Sequence, residues 1–304
     1  MNQKKIISRS EFLKKAALTV SGIGLWRNTN RVYGFSGTER NPEHRTLGRT
    51  GLKVAPIGMG ATRTLNSNLM RAAYDQGMNF FDTGRSYSNG NNEIMLGNAL
   101  KDVRDKVIIQ SKLKIQHPER LTNRDTAKEV IKEMEDSVVE SLKALQTDYV
   151  DIMLIHGMTD LNVMNHEVVL TFLQAIKDRG ITRAIGFSSH ANMAELIRSN
   201  NESKFYDTFM CAFNHKGAYV HSRNNRHHSW KQETLIRELH QAKANNIGCV
   251  AMKTTSGGPF PSESENGTFK AALKWVIQHD FVSTVAVAIA SFQQLDENVQ
   301  AMKS

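Results

Sequence analysis

The 304 residues, 40% hydrophobic with five prolines, can bury one sizeable core, which suits one large α/β domain or two small ones. The formal charge of +9 sits mostly at one end: residues 1–40 hold eight basic side chains against Glu11 and Glu39, so +6 lies there and +3 in the body. No later basic stripe carries interleaved aromatics, so the charge is not a nucleic-acid footprint and that function class is excluded.

Residues 1–40 differ in kind from the rest. A basic start precedes Ala16–Trp26, a mostly apolar run too short to span a bilayer and of the right length for a signal-peptide core. Ser8-Arg9-Ser10-Glu11-Phe12-Leu13-Lys14 looks like a twin-arginine export motif, with Ser10 standing where the second arginine belongs. The expectation is an export leader over 1–40, a domain over 41–304 and a periplasmic location. No small-x-small cleavage site is convincing, so membrane contact is expected only if the leader stays attached. The alternative is an amphipathic N-terminal helix packed on a cytoplasmic domain.

From Asn41 to Thr50 the chain is polar and turn-rich. Leu52–Gly60 reads as a strand ending in glycines, and Ser67 as the cap of a helix to Gln76, stopped by Gly77. A strand over 79–84 leads to a helix over 92–101. The strand 107–112 leads to a long helix over 122–145, with Val130, Met134, Val138 and Leu142 at near-helical spacing. Strand 149–156 and helix 166–179 follow, the latter stopped by Gly180. Strands over 184–189, 208–213, 248–253 and 283–289 then alternate with helices over 191–199, 231–246, 267–279 and 292–302. The strands are continuous apolar runs, as parallel strands buried on both faces must be. Eight strands alternating with eight helices favour a closed (β/α)8 TIM barrel, one domain, over an open doubly wound sheet. Cys211 and Cys249, the only cysteines, lie inside apolar runs and read as small core residues, with no disulfide and no metal.

The chemistry-bearing residues sit where strands end. Asn79-Phe-Phe-Asp82 runs into a carboxylate with Tyr87 five residues on, 107–112 ends in Lys112, and 149–156 ends in His156. In a parallel barrel these ends share one rim, where active sites lie. A tyrosine, a lysine, an aspartate and a histidine there are parts for proton transfer to a carbonyl. Tyrosine ionises near pH 10 unperturbed, a lysine beside the phenol lowers that value, and an aspartate keeps the lysine charged.

With Arg45-Thr-Leu-Gly-Arg-Thr-Gly-Leu52, Asp82-Thr83, Tyr87, Glu93-Ile-Met-Leu-Gly97, Ser111-Lys112, His156, Gly186-Phe-Ser-Ser189 and Glu297-Asn298 in that order, the sequence resembles the aldo/keto reductase family. The resemblance implies a nicotinamide-dependent reductase of small carbonyl compounds or sugars. In it Tyr87 is the acid/base, Asp82 holds Lys112, and His156 orients the substrate oxygen. No Gly-x-Gly-x-x-Gly motif is present, so the dinucleotide is expected extended over the rim rather than bound in the Rossmann manner. The family's cofactor positions fall on Ser188, Ser189, Met252, Lys253, Glu297 and Asn298. Ser189 replaces an asparagine, Met210 a glutamine, Met252 a stacking aromatic, and Ala288 and Gln294 the basic pair near the adenosine, so NADP and NAD both remain open. The four histidines of loop 214–230 fit no compact ligand set, and a solvated substrate loop is expected there. The family's closing C-terminal loop has no counterpart before Ser304, which implies an open pocket. A second reading keeps the barrel but not the turnover: an exported protein binding a nucleotide, a sugar or a partner protein.

Overall fold

Eight apolar runs, buried on both faces, form the strands β1 (Ile57–Gly60), β2 (Phe80–Asp82), β3 (Ile108–Leu113), β4 (Val150–Ile155), β5 (Thr182–Ser189), β6 (Thr208–Ala212), β7 (Gly248–Met252) and β8 (Thr284–Ala288). The computed structural model describes residues 43–221, 225–262 and 265–303. The export-leader reading therefore lies outside the described residues. Each strand pairs in parallel with the next, and β8 pairs with β1, so the sheet closes as a barrel in chain order. Among the described residues no helix is long and apolar enough to cross a membrane.

One helix follows each strand: α1 (Ser67–Asp75), α2 (Asn91–Leu100), α3 (Arg124–Leu145), α4 (Glu167–Asp178), α5 (Met193–Ser203), α6 (Gln232–Ala244), α7 (Phe269–Ile277) and α8 (Phe292–Lys303). A single extra turn, Leu161–Met164, precedes α4. The first cap is one residue earlier than Ser67: the side chain of Asn66 accepts from the amides of Asn68 and Leu69. Asn123 caps α3 in the same way, on the amides of Asp125 and Thr126.

Strand alternation sorts the side chains. Phe80, Ile108, Ile152, Leu154, Ala184, Met210, Val250, Met252 and Ala286 fill the barrel interior, and the opposite faces pack under the helices. Gly186 on β5 is obligatory for this closeness, since a Cβ there would collide with the carbonyl oxygen of Thr208 on β6. Cys211 and Cys249 are free, fully buried and within hydrogen-bond reach of each other on neighbouring strands.

The expected strand Leu52–Gly60 is two elements. Lys53–Val54 pairs antiparallel with Arg45–Thr46, and only beyond Pro56 does the chain join the barrel. Proline has no N–H to give a ladder, so the run breaks there. The resulting hairpin closes the barrel at the amino ends of its strands. Leu47, fully buried, belongs to the interior cluster with Leu52 and Val54 and lies against Gly248 at the start of β7. Arg49 pins the hairpin to Asp207 just before β6, with Nε 3.0 Å from Oδ1, and to the Tyr206 carbonyl at 2.9 Å. Arg45 donates to the carbonyls of Ile277 and Val282, ahead of β8.

Candidate active site

Asp82 ends β2 pointing inward, and β3 carries Ile108, Gln110 and Lys112 inward at alternate positions while Ser111 points out. Backbone bonds then fold the next residues over the mouth: Arg85 N donates to Lys112 O at 3.1 Å and Tyr87 N to Gly84 O at 2.9 Å. Ser88, Asn89 and Gly90 follow in left-handed conformations with φ 49°, 53° and 86°. At Gly90 the left-handed backbone disfavours a side chain, and a Cβ there would displace the Arg85 guanidinium beneath it. That guanidinium reaches the fully buried Glu93, Nη1 to Oε2 at 2.6 Å, while Ser111 donates to Oε1 at 2.6 Å. Burial raises the Glu93 carboxyl's pKa, opposed by Ser111, Ser141, Arg85 and Lys112. Glu93 thus clamps the Tyr87 loop to the outer side of β3, a role sequence reasoning assigned to no residue.

Inside the mouth the four expected residues meet. The fully buried Lys112 ammonium donates to Asp82 Oδ1 at 2.5 Å and to Thr83 O at 2.7 Å, and it hydrogen-bonds the Tyr87 side chain. Its nitrogen stands 4.7 Å from the Tyr87 ring centre. Burial alone would depress the lysine, but Asp82 and Tyr87 outweigh it and the pKa is raised, so Lys112 stays charged. His156 meets Tyr87 edge-on, with ring centres 5.6 Å apart, and its Nδ1 is 3.2 Å from Ser86 Oγ. Burial first, then Lys112, His190 and Lys114, lower His156 to about 3, so near neutrality it is an uncharged imidazole with one N–H to offer.

The loop expected to be solvated is paired in part and buries an aromatic side chain among its described residues. Ala218–Val220 and His227–Ser229 pair antiparallel, burying Tyr219 in a stack on His228 with ring centres 4.8 Å apart and 6° between planes. The Tyr219 hydroxyl meets His190 Nδ1 at 2.9 Å. Burial lifts Tyr219 to about 12, so the phenol keeps its proton. Burial, then Lys253, His221, His228 and Lys112, lower His190 to about 4. Aromatic neighbours hold these rings, and among the described residues no group of three ligating side chains is placed to hold a metal ion.

Both imidazoles carry a stability consequence whose sign is fixed. Their folded values, about 3 and about 4, lie below the ordinary 6.5, so the unfolded chain binds more protons as the pH falls. Stability they contribute above 6.5 should be lost progressively from there toward 4. Glu93, raised by burial, works the other way, so the informative measurement is a difference. The denaturation midpoint of His190→Gln should fall less between neutral and mildly acidic pH than that of the parent. Parallel midpoints would show that His190 titrates as a solvated group.

The six positions matched to a cofactor are spread along the rim. Ser188, almost fully buried, accepts from Gly157 N at 3.1 Å and keeps its own proton to donate. Ser189 has spent its hydroxyl on the carbonyl of Ala191 at 2.5 Å. Met252 turns into the barrel beside Met210, and Lys253 follows in a left-handed conformation, φ 58°, with its ammonium 5.2 Å from the Tyr219 ring centre. Glu297 is exposed on α8 and accepts from Gln293 at 3.1 Å, with Asn298 half-buried beside it. Ser188 lies beside the strand end that carries His156, and its O–H and the Lys253 charge suit a carboxamide and an anionic dinucleotide. A cleft of about 700 Å3 opens from His156 between the segments 114–122 and 155–166, with Ile115, Leu121, Met158 and Val163 as apolar walls and Lys114 and Asn162 as polar ones.

Comparison with known proteins gives a consistent picture. The sequence profile described as Aldo/keto reductase family matches residues 59–270. L-galactose dehydrogenase of Arabidopsis thaliana is 27% identical over 302 residues, covering 86% of this chain and 88% of that one. Four other curated relatives are matched over less than half their length, as in a Schizosaccharomyces pombe protein 34% identical over 151 residues, 46% of this chain and 43% of that one. An aldo-keto reductase from Bacillus halodurans in its holo form superposes with TM-score 0.65 at 22% identity, over 86% of this chain and 91% of that one. One from Klebsiella pneumoniae, solved with NADP and acetate, gives 0.63 at 19%, over 86% and 90%.

Proposed function

The chain belongs to the aldo/keto reductase family, and we propose that it reduces the carbonyl of a small aldehyde, ketone or sugar, with Tyr87 as the general acid. The observation that carries this is the Lys112 ammonium, held between Asp82, Thr83 and the Tyr87 side chain and shut off from water. A nicotinamide, as NADP or NAD, supplies the hydride when bound. The chain's own work is the proton. As charge grows on the carbonyl oxygen, the Tyr87 O–H gives its proton to it, and the phenolate left behind is stabilised by Lys112. The neutral His156 can donate its N–H to the same oxygen and hold it in place. Ser188 offers a donor for the carboxamide, with Met252, Lys253, Glu297 and Asn298 further along the rim and Ser189 contributing backbone only. The match to L-galactose dehydrogenase over most of both chains supports a sugar as the carbonyl compound, and the NADP complex of the Klebsiella protein supports that cofactor.

The deciding experiment is titration of the purified protein with NADPH and NADH, followed by fluorescence. Binding of either well below about a millimolar is expected, within the usual range for enzyme ligands. No binding at that concentration would leave the second reading, a barrel without turnover. Met210 and Met252 buried in the interior, with Ala288 and Gln294 on the rim, favour that alternative.

We also propose that residues 1–40 direct export to the periplasm, on the strength of their charge and apolar run. Free nicotinamide nucleotides are expected to be scarce there, so an exported reductase must be loaded before translocation, draw on another reductant, or be inactive. Cell fractionation with mass spectrometry of the N-terminus should find a chain beginning near residues 35–41. Recovery in the cytosol starting at Met1 would make the segment a structural extension.

A further inference from the structure

The barrel interior is largely apolar: the inward hydroxyls of Thr182, Thr208 and Thr284 are each spent on a backbone carbonyl, whereas Gln110 sets a side-chain amide among the apolar groups. Gln110 is fully buried, its backbone paired with Asp82 across β2 and β3, among Phe80, Ile108 and Met210. Its side-chain nitrogen is 2.7 Å from Asp82 Oδ1, the same oxygen that Lys112 contacts at 2.5 Å. A carboxylate only accepts, so the amide group facing it is the NH2. The other neighbour of that nitrogen is Met210 Sδ at 3.5 Å, a weak acceptor across the barrel. Gln110 Oε1 finds no partner among the described residues. Leaving a buried acceptor unpaired is costly, and a methionine or leucine would fill the same space without that cost. An expensive residue whose one good bond goes to the tetrad's carboxylate is explained by that bond.

We propose that Gln110 is a positioning residue: its amide fixes the Asp82 carboxylate from the barrel interior and thereby sets how far Lys112 leans toward Tyr87. Two donors share Oδ1. With the neutral donor in place, part of the carboxylate's charge is already satisfied, and the ammonium divides itself between Asp82, Thr83 and the phenol. Without it, Oδ1 turns wholly to Lys112, the ammonium is drawn toward the carboxylate, and the phenolate of Tyr87 loses stabilisation. Tyr87 should then ionise at higher pH. The other charged and titratable groups near this set are His156, with Lys114 and His190 behind it, and Glu93, whose carboxylate acts on Lys112 from outside the barrel. None of them is altered when only residue 110 changes.

The inference rests on Tyr87 being the acid, so its test avoids turnover. Phenolate absorbance of the full chain is titrated with and without Tyr87→Phe, and the difference isolates the Tyr87 ionisation. Repeating the pair in Gln110→Met should move that ionisation upward, with an ionisation constant at least about threefold smaller, well within what one lost hydrogen bond to a coupled charge produces. Cofactor affinity should stay unchanged and the reduction rate should fall. A merely structural glutamine would lower the melting temperature and leave the titration where it was, and that result overturns the proposal. Should Gln110→Met not fold, the parent gives the answer by NMR. The Gln110 side-chain amide protons should exchange slowly and respond to Asp82→Asn, whereas fast exchange overturns the assignment. A Tyr87→Phe enzyme that keeps its reduction rate would instead defeat the functional reading while leaving this measurement interpretable.

Discussion

Replacing Tyr87 with phenylalanine should slow carbonyl reduction by at least about a hundredfold, the usual scale for removing a general acid. The substitution deletes one oxygen from a half-buried ring that packs edge-on against His156. Packing is kept, so fold and cofactor affinity should survive and the loss should fall on the chemical step. Single-turnover reduction with saturating cofactor separates the two. If the variant keeps its rate, the proton comes from elsewhere. His156 is then a poor candidate near neutrality, because burial and the cations around it hold it uncharged down to about 3. Lys112, already charged and in contact with the phenol, would be the next to examine.

Lys112→Met should injure stability and chemistry together. The lysine is fully buried, and so, nearly, is Asp82. Removing the cation leaves the carboxylate with the neutral Gln110 amide beside it and no compensating charge. Breaking a buried pair from one side costs about 3–5 kcal/mol. For a chain of this size that lowers the melting temperature by on the order of ten degrees. The double variant Lys112→Met with Asp82→Asn should recover part of the stability and none of the activity, because the stranded charge is gone while the phenol still lacks its ammonium. Thermal unfolding of the three proteins checks this. An unchanged melting temperature in the single variant would mean that Asp82 is not buried as a charge.

How much of this could be read from the chain depends on the distance over which each signal acts. Apolar runs and caps are local, so the eight strands, their helices and the strand-end positions of Asp82, Lys112 and His156 were legible. The break at Pro56 was legible too in principle, since proline lacks the donor a strand needs, yet the apolar run Val54–Met59 masked it. Gln110 lay in plain phase with Ile108 and Lys112, inward at every second position, but its partner depends on the register of β2 against β3, which no local pattern encodes. The same limit hid the Glu93 clamp, where Arg85, Ser111 and Glu93 come from three different elements. Tyr219 was invisible for another reason. A polar, histidine-rich loop looks solvated until ring stacking shows that its aromatic side chain is covered.

The hairpin that stoppers the barrel also decides which way the molecule faces. Arg45 is fastened beside the start of β8 and Leu47 beside the start of β7, so the chain arrives at Glu43 on the side away from Tyr87. A group coupled directly at Glu43 would therefore sit on the face opposite the one where Asp82, Lys112 and His156 converge. A barrel held at that point would keep its opening clear of the support.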